Sequence, residues 1–517
     1  MINYWWITRP KRRLNSIPEV LASISKESLN AQWAGQIDAH LSVEEALEEA
    51  GLKRKGDRRD QTGGGARTYI AWVKSLGLMF EQESTKQLKL TLAGEAILAG
   101  ESPVKILTSQ ILKYQFPSSF SLSRNVNVSP RFKIHPFVFL FRLLDDKRIV
   151  NLSNDEIAKI VITEAENESE KCFENIVARI LEYRERGNSC LDEDFAVKYA
   201  SSKGEANADN PFDHLGDIAN TIMNWMEYTQ LAVRIDGKLQ IIPEKTGTVK
   251  SILSKTYKFI GHPENHENFQ RKYGLDLKHT KDTRNLLKSD SITSSMLIES
   301  QIKHAFIVES LKKPICKITS SLIESISEKT GCNAKVVEEK LCKLYPNGAI
   351  GSFMTEYFNM AFKGTEQAAD FEKATVELFR DVFGYETEHV GPIGLTPDVL
   401  LVSDSDGYQA IFDNKAYSSY SISNDHRNRM IHNYIENLGK YSKHSHPLAF
   451  FSYIAGGFGN KIDSQIQSVV QETGISGSAI SVSNVISLVE KHQSNPYSHK
   501  QLKDLFSLER QILLSDL

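Results

Sequence analysis

Cysteine is scarce in this 517-residue chain: Cys172, Cys190, Cys316, Cys332 and Cys342 form no CxxC pair and are odd in number. That pattern excludes a disulfide framework and a thiolate zinc site, and it suits reduced thiols. Long hydrophobic runs are lacking too, and none approaches the length of a membrane-spanning helix. The opening "MINYWWITRPKRRLN" places charge after its apolar residues, the reverse of a signal peptide. Net charge is only −3, so any affinity for nucleic acid must come from local basic clusters. Low-complexity segments and short-period repeats are missing as well. What remains is 40% hydrophobic and 25% charged, an ordinary globular composition long enough for several domains. A soluble, intracellular, multi-domain protein is expected.

In the first third, "GGGARTYIAWVKSLGLMF" (residues 63–80) spaces Tyr69, Ile70, Val73 and Leu76 as on a helix, which Gly77 ends. A short hairpin should follow, with a new helix from about Leu92. Helix, glycine, hairpin and helix are the outline of a winged helix, which lays a helix in the major groove and a wing on the backbone. The outline recurs at 217–244, where Asp236-Gly237 between alternating runs is a strong hairpin signal. From Leu275 to Tyr345 the chain is rich in Lys, Glu and Ser with helical periodicity, a helical connector closed by the Pro346-Asn347-Gly348 turn. The expected domains are two winged-helix-like α+β modules (1–150 and 151–262), a helical linker (263–352) and an α/β domain (353–517).

Basic residues cluster before the first wing: Arg9, Lys11, Arg12 and Arg13, then Lys53, Arg54, Lys55, Arg58, Arg59 and Arg67. Such side chains bind phosphates without sequence preference, and only a few reach base edges. Arg67 and Thr68 open the expected recognition helix and Lys74 lies further along it; Arg suits a bidentate contact with guanine. An ordinary solvated charge is the plainer reading of each. Lys113, Gln115 and Arg124 are weaker candidates, and Trp5 and Trp6 read as core rather than base-stacking groups.

The chemistry sits in "TPDVLLVSDSDGYQAIFDNKAYSSYS" (396–421), after an apolar helix expected over 368–385. Asp398 heads one apolar strand, "SDSDG" turns the chain, and Asp413 and Lys415 share one face of the second strand while Asn414 points away. If the register brings Asp398 across the hairpin, two carboxylates and an ammonium meet. Magnesium takes such hard oxygen ligands and keeps water and phosphate in its other positions. It polarises a scissile phosphate and acidifies bound water. Lys415 then orients or helps deprotonate the water, or offsets transition-state charge. Glu377 on the preceding helix is a candidate third carboxylate, its plainer reading being a solvated helix face. For the Asp/Asp/Lys set the plainer reading is an edge-strand ion pair beside turn acids.

These residues stand in a longer ordered match. "VELFRDVFGYETEHVGPIGLTPDVLLVSDSDGYQAIFDNKAYSSYSI" resembles the FokI-type cleavage domain, a PD-(D/E)XK nuclease, in its order of helix Glu, "GY", "HVG", "PD", hairpin, Asp-x-Lys and "AYS". Downstream, "AFFSYIAGGF" is expected as the inner strand and "GSAISVSNVISL" as the last one. The N-terminal half resembles AlwI-type endonucleases and related nicking subunits through "YWWITRPKR", "ARTYIAWVKSLGLMFEQ", "LTLAGEAIL" and "WMEYTQLAVRIDGKLQIIPEK".

The resemblance implies a type IIS restriction endonuclease that reads a short asymmetric duplex site and cuts a fixed distance outside it. Residue by residue, it implies Asp398 and Asp413 as metal ligands, Lys415 as the catalytic lysine, Glu377 at the helix-acid position, and Asn414 touching metal through its backbone carbonyl. It also implies Mg2+ with Mn2+ as a substitute, double-stranded DNA as substrate, transient pairing of two nuclease domains, a cognate DNA methyltransferase and a prokaryotic cytoplasm. "GPIGLT" lacks the basic residues that precede "PD" in the FokI-type domain. The segment 424–438, with His426, Arg427 and Arg429, is the candidate pairing or DNA-facing helix. Two alternatives remain: a strand-specific nickase of the same fold, and a tandem winged-helix regulator with an inactive nuclease-like domain.

Overall fold

A computed structural model describes residues 2–29, 31–54, 61–120, 128–200, 213–286, 294–390 and 396–517. The chain divides into two compact units: residues 1–308 with 318–346, and 309–317 with 347–517.

In the first unit, the helix Gly64–Ser75 leads into strands β1 (Met79–Glu81) and β2 (Leu88–Leu90), paired antiparallel, and then the helix Leu92–Leu98. Gly77 makes the reversal with φ +69, a left-handed conformation that glycine adopts without steric strain. The Thr91 side chain accepts from the Gly94 N–H and caps the next helix. The second outline is also present. The helix Asp213–Tyr228 precedes β4 (Ala232–Ile235) and β5 (Lys238–Ile241), joined through Asp236 and Gly237 at φ 51 and 75. Positive φ at both turn positions matches the right-handed twist of the strands. Strand β3 (Asn151–Leu152) adds to β5, giving the order β3-β5-β4.

The two outlines share one hydrophobic core, which runs from Ile2 to Tyr273 and includes Ile307. Trp5 lies inside it, donating its indole N–H to the Ala165 carbonyl at 2.8 Å. Trp6 stacks on Phe120. The expected connector is helical at Ser294–Lys312, Ser320–Thr330 and Ala334–Leu344. Its residues 309–317 group with the second unit and the remainder with the first.

The second unit is built on a six-stranded mixed sheet in the order β11-β10-β9-β8-β7-β6. Its strands are β6 (Glu386–His389), β7 (Val399–Ser403), β8 (Tyr408–Lys415), β9 (Leu448–Ala455), β10 (Ser476–Ser481) and β11 (Gln511–Ile512). Strands β6, β7 and β8 run antiparallel, and β8 to β11 run parallel. Both faces of β8 are covered, so it is buried from Tyr408 to Asn414, the polar Gln409, Asp413 and Asn414 included. On one face lies the helix Ala368–Asp381, which buries Phe371, Ala374, Thr375, Leu378 and Phe379 at the i, i+3, i+4 spacing of an amphipathic helix. On the other face Met430, Ile431 and Tyr434 pack with Ile462, Ile466 and Val469 of the helix Ile462–Thr473.

Three local expectations are corrected. The helix expected to reach Tyr385 ends at Asp381, and Gly384 at φ 78 redirects the chain. "GSAISVSNVISL" is not one strand: β10 stops at Ser481, whose hydroxyl accepts from the Asn484 N–H and caps the helix Val482–Ser494. The last strand is β11. The segment 424–438 is a short α-helix (Asn424–Asn428) followed by a π-helical turn (Arg429–Ile435).

Candidate active site

Register settles whether the two strands of the hairpin bring their acids together. Val399 faces Phe412 in the β7–β8 ladder, so the next pair outward is Asp398 with Asp413. The Asn414 N–H donates to Asp398 Oδ2 at 2.7 Å, fixing that carboxylate across the gap. Lys415 Nζ lies 2.8 Å from Asp413 Oδ2, as alternation along the strand requires. Asp413 is 2% exposed, and its Oδ1 is buried without a hydrogen-bond donor.

The electrostatics follow from burial and proximity. Burial first, and then the charge of Asp413, push the Asp398 carboxyl well above its usual range, with Lys415 opposing. Burial works against the Lys415 ammonium, but Asp413 and Asp398 outweigh it and raise its pKa. Lys415 therefore keeps its proton at neutral pH. Tyr453, opposite Asp413 in the β8–β9 ladder, and Tyr420 and Tyr434 line the other side; burial and then the Asp413 charge hold these phenols protonated.

Asn414 points away, as alternation demands. Its Nδ2 donates to Thr375 Oγ1 at 2.6 Å and to the Phe371 carbonyl at 3.4 Å, which locks the side chain onto the helix Ala368–Asp381. The carboxylate of that helix whose charge acts on Asp398 and Lys415 is Glu372. Burial raises the pKa of Glu377, and its charged neighbours are Arg380, Lys313 and Asp381. The two glutamates are five positions apart, about 140° around the helix, so they cannot face the same point. Glu372 could have been found from its one-turn spacing to Thr375 had the partner of Asn414 been known. His389 also joins the group: its Nε2 lies 3.0 Å from Glu372 Oε2.

Several of the basic residues singled out for DNA hold protein contacts. Arg9 donates to the Ile7 carbonyl, and Arg12 pairs with Asp217 at 2.6 Å. Arg67 bonds the Thr62 carbonyl and hydroxyl, Thr68 returns its hydroxyl to the Gly64 carbonyl, and Lys74 lies 3.6 Å from Glu81. Lys53 is held by Glu44 and Glu48. Arg58, Arg59, Lys55 and Arg124 lie outside the described residues, as does 391–395 of "GPIGLT". Near the six-stranded sheet, Arg427 pairs with Glu472, Arg429 with Asp425, and His426 with the Tyr420 hydroxyl. A separate trio, Glu386, Asp404 and His444, gathers at the far end of β6 and β7 from Asp398.

Comparison with known proteins adds two family matches. The AlwI restriction endonuclease family matches residues 74–338, just over half the chain. The FokI cleavage domain matches residues 331–513. Among solved structures, restriction endonuclease FokI is similar at 15% identity and a TM-score of 0.29, over 99% of this chain and 100% of that one. FokI bound to DNA is similar at 14% identity and 0.29, over 99% of each chain. The BpuJ1 endonuclease binding domain in complex with modified DNA gives 16% and 0.37, over 53% of this chain and 96% of its own. No curated protein matches the chain significantly.

Proposed function

The chain belongs to the AlwI restriction endonuclease family, and we propose that its second unit hydrolyses DNA phosphodiester bonds with Asp398, Asp413 and Lys415. It is a type IIS restriction endonuclease, a site-specific deoxyribonuclease. The observation that carries the site assignment is the convergence of a buried carboxylate, a half-buried one and a charged lysine around an unsatisfied carboxylate oxygen, Asp413 Oδ1. Two carboxylates so close repel each other unless a cation joins them, and a buried oxygen without a donor has a lone pair to give.

These residues fit a divalent metal ion, which we take to be Mg2+ with Mn2+ able to substitute. Asp398, Asp413 and the Asn414 backbone carbonyl would hold it. When bound, such an ion polarises the scissile phosphate and acidifies a coordinated water. Lys415 keeps its proton and opposes the charge that builds on the phosphate as the water oxygen bonds to phosphorus and one ester P–O bond breaks. The Thr375–Asn414 bond fixes the strand, and so the angle of both acids, against the helix. Glu372, rather than Glu377, is the helix carboxylate of this site.

The first unit reads the DNA in this proposal, with the two helix-and-hairpin outlines as winged-helix modules. Arg67, Thr68 and Lys74 lie on the recognition helix, and Arg9, Arg12, Arg58 and Arg59 serve phosphates. Transient pairing of two nuclease units, a companion methyltransferase and a prokaryotic cytoplasmic setting complete the family pattern. No helix among the described residues is long and apolar enough to cross a membrane.

Supercoiled plasmid treated with purified protein, in Mg2+ and in EDTA, followed by run-off sequencing of the ends, tests the reading. Linear product with cuts at a constant distance from one short motif is expected in Mg2+ alone. Open-circle product only would mean a nickase, and no Mg2+-dependent cutting would remove the enzymatic assignment.

A further inference from the structure

Glu372 is half-buried and could rotate about its own side chain, yet it has a fixed partner. His389 ends β6 opposite Val399 in the β6–β7 ladder, and the Val390 N–H donates to the Asp398 carbonyl at 3.3 Å. The strand end that carries the imidazole is therefore tied to the backbone of Asp398. Residues directly opposite one another share a face, so His389, Val399 and Phe412 all point toward the helix Ala368–Asp381. That is where Glu372 Oε2 lies, 3.0 Å from His389 Nε2. A carboxylate at neutral pH has no proton to give, so the imidazole donates. Glu372 is three residues before Thr375, one turn along the same side of the helix, and Thr375 holds Asn414 beside both acids.

We propose that His389 is a positioning residue for the nuclease reaction: its Nε2–H holds the Glu372 carboxylate in one orientation beside the strand end that is tied to Asp398. This rests on the metal-dependent reading above. The Glu372 charge acts on both Asp398 and Lys415, and its negative field favours a cation between the acids. Fixing the carboxylate beforehand removes the rotamer entropy that cation binding would otherwise cost. His389 itself touches neither substrate nor metal in this arrangement. Its effect belongs in metal affinity and turnover, and not in DNA affinity.

The test compares the parent protein with His389→Leu, which removes the donor, and His389→Gln, which keeps an N–H for Glu372. Mg2+ binding is read from the rise in melting temperature across a titration, DNA binding is measured in EDTA, and plasmid cleavage is followed by rate. His389→Leu should need about 10-fold more Mg2+ for the half-maximal shift and cut about 10–100-fold more slowly, the usual cost of losing an outer-shell partner. DNA affinity in EDTA should stay within about 2-fold, and His389→Gln should restore most of both losses. Mg2+ affinity unchanged in His389→Leu, or DNA binding lost in EDTA, overturns the positioning role. Should the leucine variant not fold, Glu372→Gln with and without His389→Gln decides: a second substitution that costs nothing more supports the linkage, and full additivity overturns it. A parent protein that binds no Mg2+ would instead overturn the metal-dependent reading and this proposal with it.

Discussion

Asp398 is the residue on which stability and activity oppose each other. Burial and the Asp413 charge raise its carboxyl pKa well above the usual value. A group whose folded pKa is raised contributes stability below its ordinary pKa of about 4 and loses that contribution as pH rises through the folded value. In the metal-free protein at pH 7, Asp398 has therefore lost part of that contribution. Asp398→Asn should raise the melting temperature in EDTA at pH 7, and the gain should vanish below about pH 4, while cleavage falls to background. Calorimetric scans across pH with a parallel plasmid assay check both halves; equal melting at pH 7 would mean that the carboxylate is not strained. The acid, the second acid and the lysine were legible from spacing alone. Glu372 and His389 were not, because they reach the site from a helix and an edge strand whose orientation no local pattern records.

At the level of elements, the hairpins and the helices before them were readable because their signals are local: a Gly or Asp-Gly turn and a change of period. Gly77 makes this testable. At φ +69 a side chain is strained, and a Cβ there would lie 2.6 Å from the Tyr273 ring and 2.7 Å from Gln110 Nε2. Gly77→Ala should cost on the order of 1–3 kcal/mol in urea unfolding, with no change expected in a fold that did not need this turn. The boundary at Ser481 was missed for an equally local reason. "GSAISVSNVISL" keeps an apolar rhythm across a strand and a helix, and only the Ser481 cap marks the change.

For the whole molecule, the question is whether one copy or two cut a duplex. Pairing of nuclease units makes the initial rate rise with about the second power of enzyme concentration at limiting DNA, and independent action gives about the first power. A slope near two with linear product is expected; a slope near one would exclude transient pairing as the route to double-strand cuts. The segment expected to mediate pairing already spends Arg427 and Arg429 on Glu472 and Asp425, so a partner must displace those pairs or dock elsewhere.

The amino-acid sequence determined the elements and the chemistry that neighbours in the chain can specify: two helix-and-hairpin outlines, a helical middle, and an acid, an acid and a lysine on two strands of one hairpin. Tertiary structure decided the rest. It merged the N-terminal outlines into one core from Ile2 to Tyr273, because each helix and hairpin buries its apolar face against residues far along the chain. It also chose Glu372 over Glu377, since which side of a helix meets a sheet depends on packing between segments that local periodicity does not join.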